Sequence, residues 1–491
     1  LNYQSRTMWS TLAIVGCILI LIYLWATWNF DYWEKHGVPF IKPTLFFGNL
    51  KDLILLKKNV GEVYSEFYWK FPNEAAVGIF KLGTPQLVIR DMDLIKIVCI
   101  KEFNSFANNE VTIDKEDRQA GSSVPFMASG DLWKSSRALH TATITPNKIR
   151  SIYPLITKVS ENMVEYLKGQ ENTPLEVKTL STKYAIDILS SCVYGLKTNS
   201  FINFKNEFHL KAVKFFLAPK LYNIIFMILS FAPWISRYLE IKMPKKEIKY
   251  LTRIIKNSIE NSPKNEDKEI NFVQIMANVI AKDHSTKHTY EDLAHHSFTY
   301  FAAFNTIPTQ LGFVLYMLAL HPDVQRKLRQ EIKETVDKEL EVLEKMKYLD
   351  AVVYETLRIY PINLVVRRVC TQDIVLKSAG RQYPIKKGMS IAIPFYTLNR
   401  DETYFPEPMK FNPDRFYCKE MPPQFLPFGI GPRTCFGGRF GLAAIKSAIF
   451  HVVQHFEIII KEDEVPKMPV LSVNSLLISS KETLWLKFNK L

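Results

Sequence analysis

Cysteine is scarce in this 491-residue chain, and the six present, at 17, 99, 192, 370, 418 and 435, never stand at CxxC spacing. That removes the zinc-site and thioredoxin-like readings. In a chain this large, wide spacing also argues against a disulfide framework and for a reducing compartment. No Asn-x-Ser/Thr sequon occurs, which suits a chain that is not lumenal. Internal repeats and low-complexity runs are absent, and no glycine- or proline-rich linker divides 44–491, so that stretch reads as one large domain. With 47% apolar and 23% charged residues, a disordered or collagenous chain is excluded. Acids are the scarcer charge: 49 Asp and Glu face 63 Lys and Arg, leaving +14. Such an excess admits nucleic acid, a membrane surface or an acidic protein as partner.

Charge is missing altogether between Arg6 and Asp31, a gap of 24 residues. As a helix at about 1.5 Å per residue, the gap spans roughly 36 Å, enough for a ~30 Å hydrocarbon core. Trp25 and Trp28 would sit near one interface. A cleaved signal peptide would be shorter in its apolar part and end at an A-x-A-like site, which is not seen. A permanent anchor is therefore expected over 1–30. Lys35 and Lys42 follow the span and Arg6 precedes it, which places the body on the cytosolic side. Gly37-Val-Pro39-Phe-Ile-Lys-Pro43 then reads as a stiff connector over 31–50, with the body at 51–491.

Alternating apolar residues around Gly83-Thr-Pro85 predict two short strands over 77–90, and strand-like runs return near 364–392 and 470–489. Helical patterns dominate elsewhere, so the fold class is mainly α with small β-sheets. Segment 211–257 holds ten Lys/Arg and two acids around an uncharged centre, 221–235. It reads as an interfacial element dipping into lipid, or as a buried helix followed by a basic solvated one. Its charge accounts for more than half of the net excess and fits anionic headgroups better than nucleic acid.

Near the C-terminus stands Phe428-Gly-Ile-Gly431-Pro-Arg433-Thr-Cys435-Phe-Gly437-Gly-Arg, a tight loop leading into an apolar helix from Phe440 to Val453. Backbone N–H groups converging at the helix start are expected to lower the pKa of Cys435 and favour a thiolate, which can ligate haem iron. A glycine-rich turn around a buried cysteine is the plainer alternative. The spacing F-x-x-G-x-R-x-C-x-G, met at every fixed position, resembles the ligand loop of cytochrome P450 monooxygenases. Three further motifs agree in order. Glu355-Thr-Leu-Arg358 puts two charges on one helix face, and in the family such a pair is buried and joins an arginine, here Arg415 of Phe411-Asn-Pro-Asp-Arg-Phe. Trp133-Lys-Ser-Ser-Arg137 brings two donors onto one face, which in the family hold a haem propionate. Arg368 and Arg433 match two more propionate contacts. The apolar helical pattern Tyr290–Leu320 matches the helix that crosses the haem.

That last motif departs from the family. It reads Ala302-Ala303-Phe304-Asn305-Thr306, with Ala303 in place of a glycine and Asn305 in place of an acid. Pro308 lacks an N–H and its ring opposes the carbonyl of Phe304, so it can open the helix without a glycine, or it is merely a tolerated kink.

The resemblance runs from the anchor to the C-terminus, and the connector and the pattern Pro244-Lys…Phe272-Val-Gln look like arthropod microsomal P450s of the xenobiotic-metabolising clade. It implies a P450 fold with an N-terminal transmembrane helix in the endoplasmic reticulum membrane. It implies haem b with Cys435 as axial thiolate, with Phe428, Gly437, Trp133, Arg137, Arg368 and Arg433 among the cofactor-binding residues. Thr306 and Asn305 would handle proton delivery, and Glu355, Arg358 and Arg415 would be structural. Walls of an apolar substrate cavity would come from 102–125, 210–235, 301–309, 362–366 and 474–479. The chain carries no NADPH or flavin fingerprint, so NADPH–cytochrome P450 reductase, with cytochrome b5 as a second donor, would supply electrons. Lys134, Lys148, Arg150, Lys410 and Arg439 would dock that acidic partner. The altered Ala303/Asn305 motif leaves two rivals: a P450-fold isomerase or dehydratase acting on a peroxide, and a non-catalytic binder of apolar ligands.

Overall fold

The computed structural model describes residues 2–111, 125–216, 245–260, 270–282, 289–335, 339–461, 467–475 and 477–491. The chain forms two compact units, Leu1–Glu110 with Val365–Thr397, and Val111–Leu364 with Leu398–Leu491. The chain crosses between the units three times, at 110/111, 364/365 and 397/398, and no linker composition marks these crossings.

The first unit contains the four-stranded sheet. Ala76–Lys81 and Thr84–Ile89 pair antiparallel with Val77 opposite Val88. Thr84–Ile89 runs parallel to Ser390–Ile393, which is antiparallel to Val366–Val369. The alternation in 77–90 predicts half-buried strands, yet every residue of Ala76–Lys81 is buried. Trp33 explains one face. A side chain at Gly78 would lie 2.5 Å from Trp33 Cγ, so glycine lets the indole lie flat on the strand. The ring is held there by its Nε1–H, which donates to Ile79 O at 3.0 Å. The buried end residue Lys81 pairs with Glu110, which also meets Arg367 at 3.2 Å. Strands Ile374–Ser378 and Arg381–Ile385 form a separate hairpin. The N-terminal helix Asn2–Thr27 belongs to this unit, and Leu12, Ile14, Leu19 and Leu21 are all exposed on it.

The second unit is helical around Ala303–Leu320, whose residues from Leu311 to Ala319 are all buried. By length and composition Tyr290–Leu320 is apolar enough to cross a membrane, but 72% of its apolar 18-residue stretch is buried inside the protein and serves as core. The helix Gly438–His455 approaches closely because Ala443, Ala444, Ser447 and Ala448 are small. Polar anchors fix the approach. Tyr184 OH donates to Ala444 O at 2.7 Å, and the Ser160 and Ser447 hydroxyls meet at 2.9 Å. Lys446, also buried, pairs with Asp350 at 2.8 Å. A three-stranded antiparallel sheet, Leu175–Glu176, Trp485–Lys490 and Phe456–Ile460, completes the unit.

Two expectations need comment. The pattern Tyr290–Leu320 predicts one helix; the structure breaks it into Tyr290–Phe298, a 3-10 turn Thr299–Ala302, and Ala303–Leu320. Apolar periodicity does not distinguish a 3-10 turn from the α-turns around it. The apolar centre 221–235 of the basic segment lies outside the described residues, as does 112–124 of the expected substrate wall. The flanking helix Lys245–Glu260 buries Ile248, Leu251, Ile254 and Ile255 on one face.

Candidate functional site

The cysteine loop is shaped by its glycines. Gly429 and Gly431 hold φ of +83° and +78°, a region costly for side-chain-bearing residues. At Gly438 a Cβ would stand 3.0 Å from Phe428 Cδ1, so Phe428 packs directly on the first turn of Gly438–His455. The loop closes through Thr434 N–H to Gly431 O at 3.0 Å and Cys435 N–H to Phe428 O at 2.8 Å. Gly437 caps the helix, which leaves Cys435 just before its N-terminus.

The N–H groups of Gly437 and Gly438 and the Arg137 guanidinium all favour a charged sulfur, as expected. Burial works against them and is the largest influence, so the thiol is pushed up, not down. The lowered pKa inferred from sequence is thus corrected: spacing reveals donors, but not the desolvation that outweighs them. Cys435 is crowded by protein yet open on one side, since the residue is exposed to solvent. A thiol of this kind becomes a thiolate when a metal coordinates it.

The helix Gly130–Thr143 lies against this loop. Arg137 Nη1 donates to Thr434 O, and burial lowers the arginine's pKa while Cys435 opposes that. The Arg433 guanidinium stands 4.2 Å from the centre of the buried Trp133 ring and donates to Ala128 O at 2.9 Å. One residue of this face escapes the sequence reading. His140 is fully buried and stacks on Phe436 with centroids 5.2 Å apart and planes at 17°. Its place three residues after Arg137 and seven after Trp133 is the signal that could have found it. Burial, with His296 and Arg137 nearby, pushes its pKa down to about 3. Arg368 belongs to the first unit, on strand Val366–Val369. There it is buried and donates to Asn109 Oδ1 at 2.6 Å and Arg367 O at 3.0 Å.

On the core helix, Ala302 and Asn305 are exposed and Ala303, Thr306 and Thr309 partly so, while Phe301, Phe304, Ile307, Pro308 and Gln310 are buried. Positions 302, 305, 306 and 309 share one helical face. They form an accessible stripe along the first turns of a helix whose later residues are core. Thr306 Oγ1 donates back to Ala302 O at 3.2 Å.

Glu355, Arg358 and Arg415 come together. Glu355 and Arg358 are fully buried and joined by two 2.8 Å bonds, a bidentate fork. Arg415 Nε reaches Glu355 Oε1 at 3.3 Å, and Asn412 N–H donates to the same oxygen at 2.9 Å. Arg358 Nη1 also donates to Asn399 O at 2.7 Å. The set therefore ties the Lys347–Ile359 helix to the meander ahead of the cysteine loop.

Among the described residues no group of three or more His, Cys, Asp or Glu could hold a bare metal ion. A single open cysteine backed by N–H donors and Arg137 fits the axial ligand of a haem, with the accessible stripe of the core helix in the same unit. Such residues define a class, the helical haem-thiolate proteins. Comparison with known proteins narrows it. The family model for Cytochrome P450 matches residues 38–486. Cytochrome P450 6j1 of Blattella germanica is 31% identical over 471 residues, covering 93% of each chain. Cytochrome P450 9b2 of Drosophila melanogaster is 30% identical, covering 91% of this chain and 92% of the relative. Cytochrome P450 3A17 of Cavia porcellus is 30% identical, covering 93% and 92%. The chain belongs to the cytochrome P450 family, mostly helical monooxygenases that bind haem through a cysteine thiolate. Its insect and mammalian relatives stand at nearly equal identity.

Proposed function

We propose that the protein is a membrane-anchored monooxygenase that inserts one atom of O2 into an apolar small molecule, with electrons from NADPH delivered by a separate reductase and by cytochrome b5. The observation that carries this reading is the open Cys435, facing N–H donors and Arg137 at the start of Gly438–His455. Bound haem supplies the oxygen-activating chemistry. The chain supplies the rest. Cys435 would be the haem's iron ligand, and Phe428 and Gly437 shape the loop that presents it. Arg137, Arg368 and Arg433 would neutralise the haem propionates, a task suited to guanidinium groups, and Trp133 would donate its indole N–H to one of them.

Thr306 and Asn305 lie on the accessible stripe. The Thr306 hydroxyl, which donates to Ala302 O, can accept or relay a proton on this stripe, and Asn305 orients a donor there but cannot ionise. Pro308 leaves the Phe304 carbonyl without its usual helical N–H and keeps this stripe open. Ala302 and Ala303 add apolar wall. The relatives are monooxygenases, so the peroxide-rearranging alternative is not favoured.

The division into anchor 1–30, connector 31–50 and haem domain 51–491 is part of the same reading. So is a location in the endoplasmic reticulum membrane with the body cytosolic. The 26-residue helix Asn2–Thr27 supports it, since at about 1.5 Å per residue it outreaches a ~30 Å hydrocarbon core and Leu12, Ile14, Leu19 and Leu21 are exposed on it. Exposed Lys134, Lys410 and Arg439, with Lys148 and Arg150, form the basic face offered to the reductase. The test is turnover under isotopically labelled dioxygen with NADPH and reductase. One labelled oxygen atom in the product is expected. Product formed from a hydroperoxide without NADPH, carrying no label, would overturn the reading.

A further inference from the structure

The helix Gly130–Thr143 grips the cysteine loop at three places, and each grip touches a residue beside Cys435 while leaving Cys435 open. Trp133 takes the Arg433 guanidinium on its ring at 4.2 Å. Arg137 takes the Thr434 carbonyl, and its guanidinium also stands 5.8 Å from the Phe436 ring. His140 takes Phe436 in a stack at 5.2 Å. The first and second gripping residues are four apart and the second and third three apart, so all lie on one helix face. The gripped residues, 433, 434 and 436, flank the sulfur on both sides.

We propose that His140 is a positioning residue for Cys435, closing this three-point clamp by stacking on Phe436 and so fixing the direction of the sulfur. The proposal rests on Cys435 being the iron ligand. His140 acts as a flat ring, not as a base. Both of its nitrogens are buried without a hydrogen bond. It meets Tyr300 and His296 edge-on, with centroids at 5.7 and 5.8 Å, which hold the ring against Phe436 from behind. Its depressed pKa, about 3, keeps a second cation away from the arginine already beside the sulfur. Loss of the ring frees Phe436 and, with it, the C-terminal side of the cysteine.

The experiment uses the full-length holoenzyme and reads the rate at which the red-shifted Soret band of the reduced, CO-bound thiolate form decays to the band of a form without thiolate. His140→Ala is expected to speed that decay roughly two- to tenfold, the range set by one aromatic pair. His140→Phe restores the ring and is expected to return the rate to that of the unaltered protein. On a Phe436→Ala background, His140→Ala is expected to add little, because its partner is already gone. If His140→Ala does not yield holoenzyme, His140→Leu, which fills space without a ring, replaces it. A decay rate unchanged by loss of the ring, or an effect undiminished when Phe436 is absent, overturns the clamp. A protein whose unaltered form shows no thiolate-type band overturns the assignment of Cys435 and the clamp with it, a result separable from the first.

Discussion

Single residues carry the sharpest consequences. Glu355 accepts from two guanidinium groups and a backbone N–H in a site with no exposure. Glu355→Leu strands Arg358 in the interior and is expected to cost about 3–5 kcal/mol. Replacing both Glu355 and Arg358 by leucine removes the stranded charge and should recover part of that loss, measured by denaturant unfolding. His140 gives a pH dependence with a definite sign. The unfolded chain binds a proton on this residue near 6.5 and the folded protein only near 3. Between those values the unfolded state holds more protons, so stability rises with pH by about 1.4 kcal/mol per unit and levels off above the window. The difference between the unaltered protein and His140→Phe isolates that slope, because other titrating groups cancel. The cysteine motif was readable because its fixed residues each answer a local demand of the turn. The Glu355–Arg358 pair was readable from the residues as a spacing, and its burial with Arg415 only through the family resemblance. A surface pair has the same spacing, and the burial comes from Asn399 and Asn412, which sequence distance hides. His140 left only a weak trace, its spacing three residues after Arg137 and seven after Trp133, since a histidine on an apolar face has no signature of its own.

Elements were legible where a period or a turn dictated them. The Gly83-Thr-Pro85 turn and flanking alternation set the first hairpin, and the apolar run after Gly437 set the helix Gly438–His455. The 3-10 turn Thr299–Ala302 was not legible, since apolar side chains recur through it without interruption. It ends two residues before Phe304, whose carbonyl Pro308 opposes, and the α-helix Ala303–Leu320 continues through the proline. Pro308→Ser returns an N–H to that carbonyl. The expected result is tighter helix and poorer coupling, read as less product per NADPH consumed; unchanged coupling would mean that the proline is only tolerated.

At the scale of the whole molecule, the charge excess of +14 takes a place. Over half sits in 211–257, beside apolar sequence, and the N-terminal helix exposes apolar residues such as Leu12, Ile14, Leu19 and Leu21. Deletion of 2–27 should weaken but not abolish sedimentation with anionic vesicles, and the residual binding should fall as salt rises. Salt-insensitive residual binding would assign it to apolar insertion instead. The two-unit division could not be read, because 365–397 returns to the first unit through sequence that looks like any other strand region. The proposed function depends on one proposed bond, from Cys435 to haem iron. The reduced, CO-bound spectrum of the intact protein, set beside that of Cys435→His, tests it directly. The account predicts the red-shifted thiolate band in the first and its loss in the second with haem retained. Absence of the band from the intact protein, or its survival in the variant, would contradict the account.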